Sequence, residues 1–219
     1  MKSKNTLRKE QTGKIIRLQN NLGTILSNDN NFNFDIRSHL NKLNLNDDVI
    51  FLVEKNNTAT AIRKLYTNIH GIEFSARVDA SHIHIDLDIY LPALIENISN
   101  NVEDYIEIEH EYPHVIGNSE CVRTNEHDNI IYGKRKGRKG YSRFVLNREP
   151  EDCKSIFVAF KKNGNGYLII TIFIGKKAGR EPWDPNATSN DRVFWENHAL
   201  ILNMETIQVG SLTTTSIYN

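Results

Sequence analysis

The chain holds 219 residues, with Lys plus Arg at 27, Asp plus Glu at 27 and a formal net charge of zero. That length can bury a substantial core in one or two domains, and the balanced charge excludes a chain-wide polyanion-binding signal. Two cysteines, Cys121 and Cys153, have neither metal-type spacing nor a disulfide framework, and the longest apolar run, Tyr167 to Ile174, is far too short to span a bilayer. A soluble, cytoplasmic protein without a membrane partner is expected.

Residues 1–11 are polar and basic with no apolar core, so a disordered arm is expected there and not a signal peptide. Short strands follow at Lys14–Leu18, Gly23–Leu26, Phe32–Ile36, Val49–Val53 and Thr58–Leu65, with Asn-rich turns between them. Five strands in about fifty residues is the rhythm of an oligonucleotide/oligosaccharide-binding (OB) barrel. A linker is expected near Tyr66–Ile72. Strict alternation from Phe74 to Ile89 predicts a strand with His82, His84, Asp86 and Asp88 on one face. Leu91, Leu94, Ile95, Ile98, Val102 and Tyr105 then recur at helical spacing, which predicts a helix over 92–105 with Pro92 in its first turn.

Six further strands are expected at Tyr105–Glu111, Glu120–Thr124, Asn129–Tyr132, Tyr141–Leu146, Ser155–Lys161 and Gly166–Ile174. Asn163-Gly164-Asn165-Gly166 is a hairpin turn signal between the last two. A loop carrying Glu181-Pro182-Trp183-Asp184 precedes a short helix over 191–200 with Phe194, Trp195 and His198. The Thr- and Ser-rich end, 204–219, is expected to fray. The fold class is therefore α+β: a small five-stranded OB-type β-barrel at 12–66, then an α+β domain at 74–203 with an antiparallel sheet and flanking helices.

The densest chemical signal is Gly133-Lys134-Arg135-Lys136-Gly137-Arg138-Lys139-Gly140. Seven Lys or Arg residues fall between Gly133 and Arg148 with no acid among them. Taken alone such a hairpin tip is more often simply solvated. Its alternative is a phosphate-contacting surface made by Lys134, Arg135, Lys136, Arg138 and Lys139.

Gly13 to Ile25, Phe32 to Ile36 and Leu45 to Phe51 resemble, in that order, a degenerate cold-shock domain covering 12–65. The resemblance implies single-stranded RNA binding on stacked rings. The family's first-motif rings are replaced here by Leu22 and Thr24, and Leu18 replaces another. Phe32 and Phe34 are left as platform candidates, with Lys14 and Arg17 for charge. An equal rival reading packs both phenylalanines in the barrel.

His82-Ile83, Gly137 to Val145, Leu168 to Gly175, Glu181 to Asp184 and Phe194 to Leu200 resemble a group of uncharacterised bacterial proteins. Residues 80–202 are in turn similar to toxin-type ribonucleases of the barnase, EndoU, colicin and RelE class. The resemblance implies a metal-independent endoribonuclease that needs no cofactor, with an antitoxin or the ribosome as further partners. The RNA 2′-hydroxyl would attack the adjacent phosphate, with His82, His84 and His198 for proton transfer and Arg143 and Thr171 at the phosphate. Each has a plain rival role: a wet strand face, an ion pair across the sheet, an ordinary strand threonine, a helix cap. His110 and His114 are weaker candidates. Two other classes stay open. One is a non-enzymatic RNA-binding or regulatory protein. The other is a metal-dependent hydrolase using His82, His84 and Asp86, whose spacing on one strand face suits a closed tetrahedral site poorly.

Overall fold

The computed structural model describes residues 10–39, 43–77, 85–99 and 103–216. His82 and His84 lie outside the described residues. The strands are β1 (Glu10–Gln19), β2 (Leu22–Ser27), β3 (Asn30–Asp35), β4 (Asp48–Glu54), β5 (Thr58–Thr67), β6 (Glu73–Arg77), β7 (Tyr105–Glu111) and β8 (Gly117–Ser119). They continue with β9 (Cys121–Arg123), β10 (Ile130–Lys134), β11 (Tyr141–Val145), β12 (Glu151–Cys153), β13 (Ser155–Asn163), β14 (Gly166–Ile174) and β15 (His198–Ile201). Two α-helices, α1 (Leu87–Ile95) and α2 (Ser189–Asn197), complete the described residues, so the protein is mostly β. None of its helices among these residues is long and apolar enough to cross a membrane.

The chain divides into two compact units, residues 1–108 with 158–173, and residues 109–157 with 174–219. These units cut across the domains expected at 12–66 and 74–203, because residues up to 108 cluster with the barrel. In the first unit β1 pairs with β2 and β4, β2 with β3, β4 with β5, and β3 meets β5 in parallel at Asn33 and Thr58. That closes a five-stranded barrel in the order expected of an OB-type fold. Its core is Ile15, Ile25, Phe32, Phe34, Val49, Phe51, Ala59 and Ile62. The sheet continues from β5 through β6, β14 and β13 to β7.

Several expectations need correction. β1 begins at Glu10, so the expected arm loses its last two residues to the barrel. The expected linker is a tight turn: β5 and β6 form a hairpin, and Asn68 Oδ1 accepts from the His70 and Ile72 amides. The strand expected to reach Ile89 gives way to α1 because Asp86 caps it, accepting from the Asp88 amide at 3.0 Å. Pro92 therefore sits inside α1 rather than in its first turn, and the helix ends at Ile95 instead of 105. Leu91, Leu94 and Ile95 bury its apolar stripe. Helix α2 ends at Asn197, and His198 opens β15.

The first turn of α1 is tied to the barrel by a buried lysine. Lys64 Nζ lies 2.9 Å from Asp47 and 2.7 Å from Asp88, and Asp88 also accepts from Tyr66 Oη at 2.9 Å and Asn44 Nδ2 at 3.1 Å. Burial, followed by the nearby Asp88 charge, pushes the Tyr66 phenol far above its ordinary value. Lys64 is 6% exposed, and the cost of burying its ammonium is offset by the two carboxylates that face it. Lys64→Met is expected to destabilise the first unit by roughly 2–3 kcal/mol in chemical denaturation, below the usual range for a broken buried pair because Asp88 is half-exposed.

In the second unit β10 and β11 pair antiparallel from Ile130↔Val145 to Lys134↔Tyr141. β15 joins β11 in parallel and β9 adds to β15, while β8 pairs with β12. The expected frayed tail is instead held along β10. Tyr132 and Thr213 exchange two backbone hydrogen bonds at 2.8 Å, Gln208 donates to the Lys134 carbonyl at 2.8 Å, and Ile207 is buried.

Candidate nucleic-acid interface

The basic hairpin, β10 to β11, lies in the second unit. Its two sides differ. Lys134 Nζ sits 5.0 Å from the Tyr141 ring centroid, and Lys136 donates its side chain to the Glu205 carbonyl and its amide to the Thr206 carbonyl. Arg135 pairs with Glu181 at 2.7 Å. Past the turn, Arg138 and Lys139 are exposed, and neither makes an ion pair among the described residues.

Glu181 is the anchor of this arrangement. Its side chain is 12% exposed, and the same oxygen, Oε1, accepts from Arg135 and from the fully buried Ser142 hydroxyl at 2.8 Å. Burial raises the Glu181 carboxyl above its ordinary value, although Ser142 and Arg135 pull it down. Burial, with Glu181 adding to it, also pushes the Cys121 thiol up to about 11, so this cysteine stays protonated and inert at neutral pH.

Two residues along from Glu181, Trp183 packs on the hairpin. A methyl group on Gly140 would come within 2.0 Å of the indole, so only glycine fits beside this ring. Gly137, Arg138, Lys139 and Gly140 form one wall of a cleft of about 470 Å³, and Trp183, Asp184 and Pro185 form the other. The Trp183 N–H, Glu181 Oε2 and Arg135 Nε are sealed from water and unpartnered among the described residues.

Of the residues expected to catalyse, Arg143, Thr171 and His198 are among the described residues, and each has a place of its own in the fold. Arg143 Nη1 donates to Thr124 Oγ1 at 2.9 Å and to the Trp195 and His198 carbonyls at 3.2 and 2.9 Å. It thereby satisfies acceptors left over at the end of α2. His198 stacks on Phe194 at 4.1 Å, and its Nδ1 lies 2.9 Å from the Phe194 carbonyl, which places the Nδ1 proton. Arg143 and His198 thus meet through a backbone oxygen, a helix-end contact. Thr171, half-buried in β14, belongs to the first unit. Asp86 caps a helix, and no group of three or more metal-ligating side chains occurs among the described residues.

On the barrel, the expected ring platform is corrected. Phe32 and Phe34 are 6% and 2% exposed, Phe32 packs on Phe51 at 5.2 Å, and the Phe34 ring lies over Gly23. Alternation puts both rings inward and leaves Asn31 and Asn33 facing out. Lys14 pairs with Asp48 at 3.0 Å, and Arg17 donates to Gln19. The outer row Arg17–Thr24–Asn33 is polar and carries no ring.

Sequence reasoning assigned no role to Trp183 and Asp184. The signal was present: an aromatic and a carboxylate in one loop, and a glycine closing a basic tip.

No protein-family model and no curated protein matches this chain. Among solved structures, one described as "drosophila Unr CSD456", a cold-shock-domain protein, aligns at 12% identity and a TM-score of 0.25 over 78% of this chain and 64% of that one. The chain therefore spans just under two thirds of that chain. At that score the likeness carries no argument, and the barrel rests on its own strand order and closure.

Two outcomes follow from these positions. Phe34→Ala is expected to cost about 3–5 kcal/mol of stability through the cavity it leaves, measured by denaturation. Glu181 binds its proton more readily folded than unfolded, so its contribution to stability is present below pH 4.5 and falls as pH rises through its elevated value. Glu181→Gln is expected to flatten that part of the stability–pH curve in melts at closely spaced pH.

Proposed function

We propose that this protein binds single-stranded RNA through the outer half of the β10–β11 hairpin. The observation that carries the reading is the cleft in which two exposed cations, Arg138 and Lys139, neither in an ion pair among the described residues, stand opposite a tryptophan. Cations neutralise phosphates, and an aromatic ring beside them gives a base something to stack on. In this reading the α+β portion, 74–203, holds the RNA. The barrel, 12–66, contributes a polar outer face through Arg17 without ring stacking.

Metal-independent cleavage by the 2′-hydroxyl is a finer reading that rests on motif resemblance. Among the described residues Arg143 and His198 serve a helix end, so the proposal is a non-enzymatic RNA-binding protein. Nothing among the described residues argues for an antitoxin or the ribosome as a partner. A cleaving protein would leave 2′,3′-cyclic phosphate ends on RNA in EDTA. This protein is expected to leave the RNA intact.

Replacing both Arg138 and Lys139 by Ala is expected to weaken RNA binding at low salt. It should also reduce the slope of log affinity against log salt by about 1.4, two phosphate contacts at about 0.7 each. Fluorescence anisotropy across a salt series reads both. An unchanged slope would remove the tip from the interface.

A further inference from the structure

We propose that the cleft beside Trp183 is a subsite for an unpaired guanine base, read by the carboxylate of Asp184. The inference rests on the RNA-binding reading and specifies the ligand of that same cleft. Its starting point is a mismatch of charge. Arg138 and Lys139 suit a phosphate, yet Asp184 lines the opposite wall. A carboxylate only accepts hydrogen bonds at neutral pH and repels phosphate, so the group in front of it must bring donors.

The carboxylate is held in place for that task. The Asp184 amide donates to the Glu181 carbonyl at 2.8 Å, and the Asp184 carbonyl accepts from the Ala187 amide at 2.9 Å. Asp184 Oδ1 accepts from the Asn186 amide at 2.8 Å. Three bonds thus fix the residue, while Oδ2 makes no hydrogen bond among the described residues. Glu181, which carries the near end of this turn, is itself locked to Arg135 and Ser142.

Guanine fits the split in this cleft. Its Watson–Crick edge puts two adjacent donors, N1–H and the N2 amino group, toward a carboxylate. Its O6 and N7 acceptors lie on the adjoining edge, where an arginine or lysine binds them. Adenine and cytosine place an acceptor beside their single amino group, and uracil places its one N–H between two carbonyls. Only an unpaired base exposes this edge, which agrees with a single-stranded ligand. The partly exposed Trp183 supplies the ring to stack on.

The test measures affinity of the full chain for uracil-rich RNA oligomers carrying one central guanine, inosine, adenine, cytosine or no substitution. Asp184→Asn is measured beside the parent. The asparagine oxygen can still accept from the Asn186 amide, so the turn is kept while the free acceptor becomes a donor. The parent is expected to bind the guanine oligomer about tenfold more tightly than the adenine one, with inosine between. Asp184→Asn removes a charge that repels phosphate, so it is read by the ratio of guanine to adenine affinity, which is expected to fall to within about twofold while the all-uracil oligomer binds at least as tightly as to the parent. Equal binding of all oligomers by the parent, or a preference for cytosine or adenine, overturns the guanine subsite and leaves RNA binding standing. A uniform loss across all oligomers in Asp184→Asn also overturns it, because the residue then only holds the turn. No binding of any oligomer by the parent overturns both readings.

Discussion

Burying Glu181 beneath a hairpin of like-signed side chains is the constraint on which the second unit depends. A carboxylate taken from water is costly unless donors meet it, and here Arg135 and Ser142 meet one oxygen while the other has no partner among the described residues. The residual cost appears as the raised affinity of Glu181 for a proton. In return the acid fixes the loop to the hairpin, and Trp183 two residues on is seated against Gly140. The hairpin is thereby divided. Its inner basic residues are absorbed by Glu181, the Tyr141 ring and the C-terminal segment, and its outer two, Arg138 and Lys139, are exposed. Counting the charges in the sequence therefore overstates how many of them are exposed.

The first unit solves the converse problem. Lys64 is buried between Asp47 and Asp88, and the pairing draws the start of α1 onto β5. This explains why α1 begins where it does. Asp86 caps the helix with its own side chain, and Asp88 then presents its carboxylate to the lysine. Alternation that reads as a strand face, with an acid at every second position, is here the first turn of a helix with two separate duties. Asp86 gives its Oδ1 to the cap.

Where the sequence was legible, one face of each element was dry and the other wet. β1 to β5 all appear at their expected places because burial demands period-two alternation, and the hairpin Ile130–Val145 is bounded by glycines and charge. Alternation alone does not say which set of a strand's residues faces inward. Phe32 and Phe34 fill the barrel because Phe34 covers Gly23, a contact between two strands that no single-strand pattern contains. The 92–105 helix failed for a related reason: the spacing of Ile98, Val102 and Tyr105 continued the period past Ile95, while the cap at Asp86 and not Pro92 fixed the start. The 204–216 segment looked unstructured because it is stabilised by backbone bonds to β10, and those leave almost no mark in side-chain chemistry.

The candidate site was legible in its charges and not in its ring. Arg143 and His198 have the residue types of catalysis, yet a helix that stops at Asn197 leaves carbonyls needing donors, and a guanidinium is well suited to gather several at once. Proton transfer needs a donor or acceptor within reach of a bound phosphate. His198 spends its Nδ1 on the Phe194 carbonyl, so any such transfer falls to its Nε2. A binding surface needs less: exposed cations, a ring held so that little entropy is lost on contact, and one group that chooses among bases. Arg138 and Lys139, Trp183 against Gly140, and Asp184 in its turn meet those needs with residues whose positions are already fixed by the burial of Glu181.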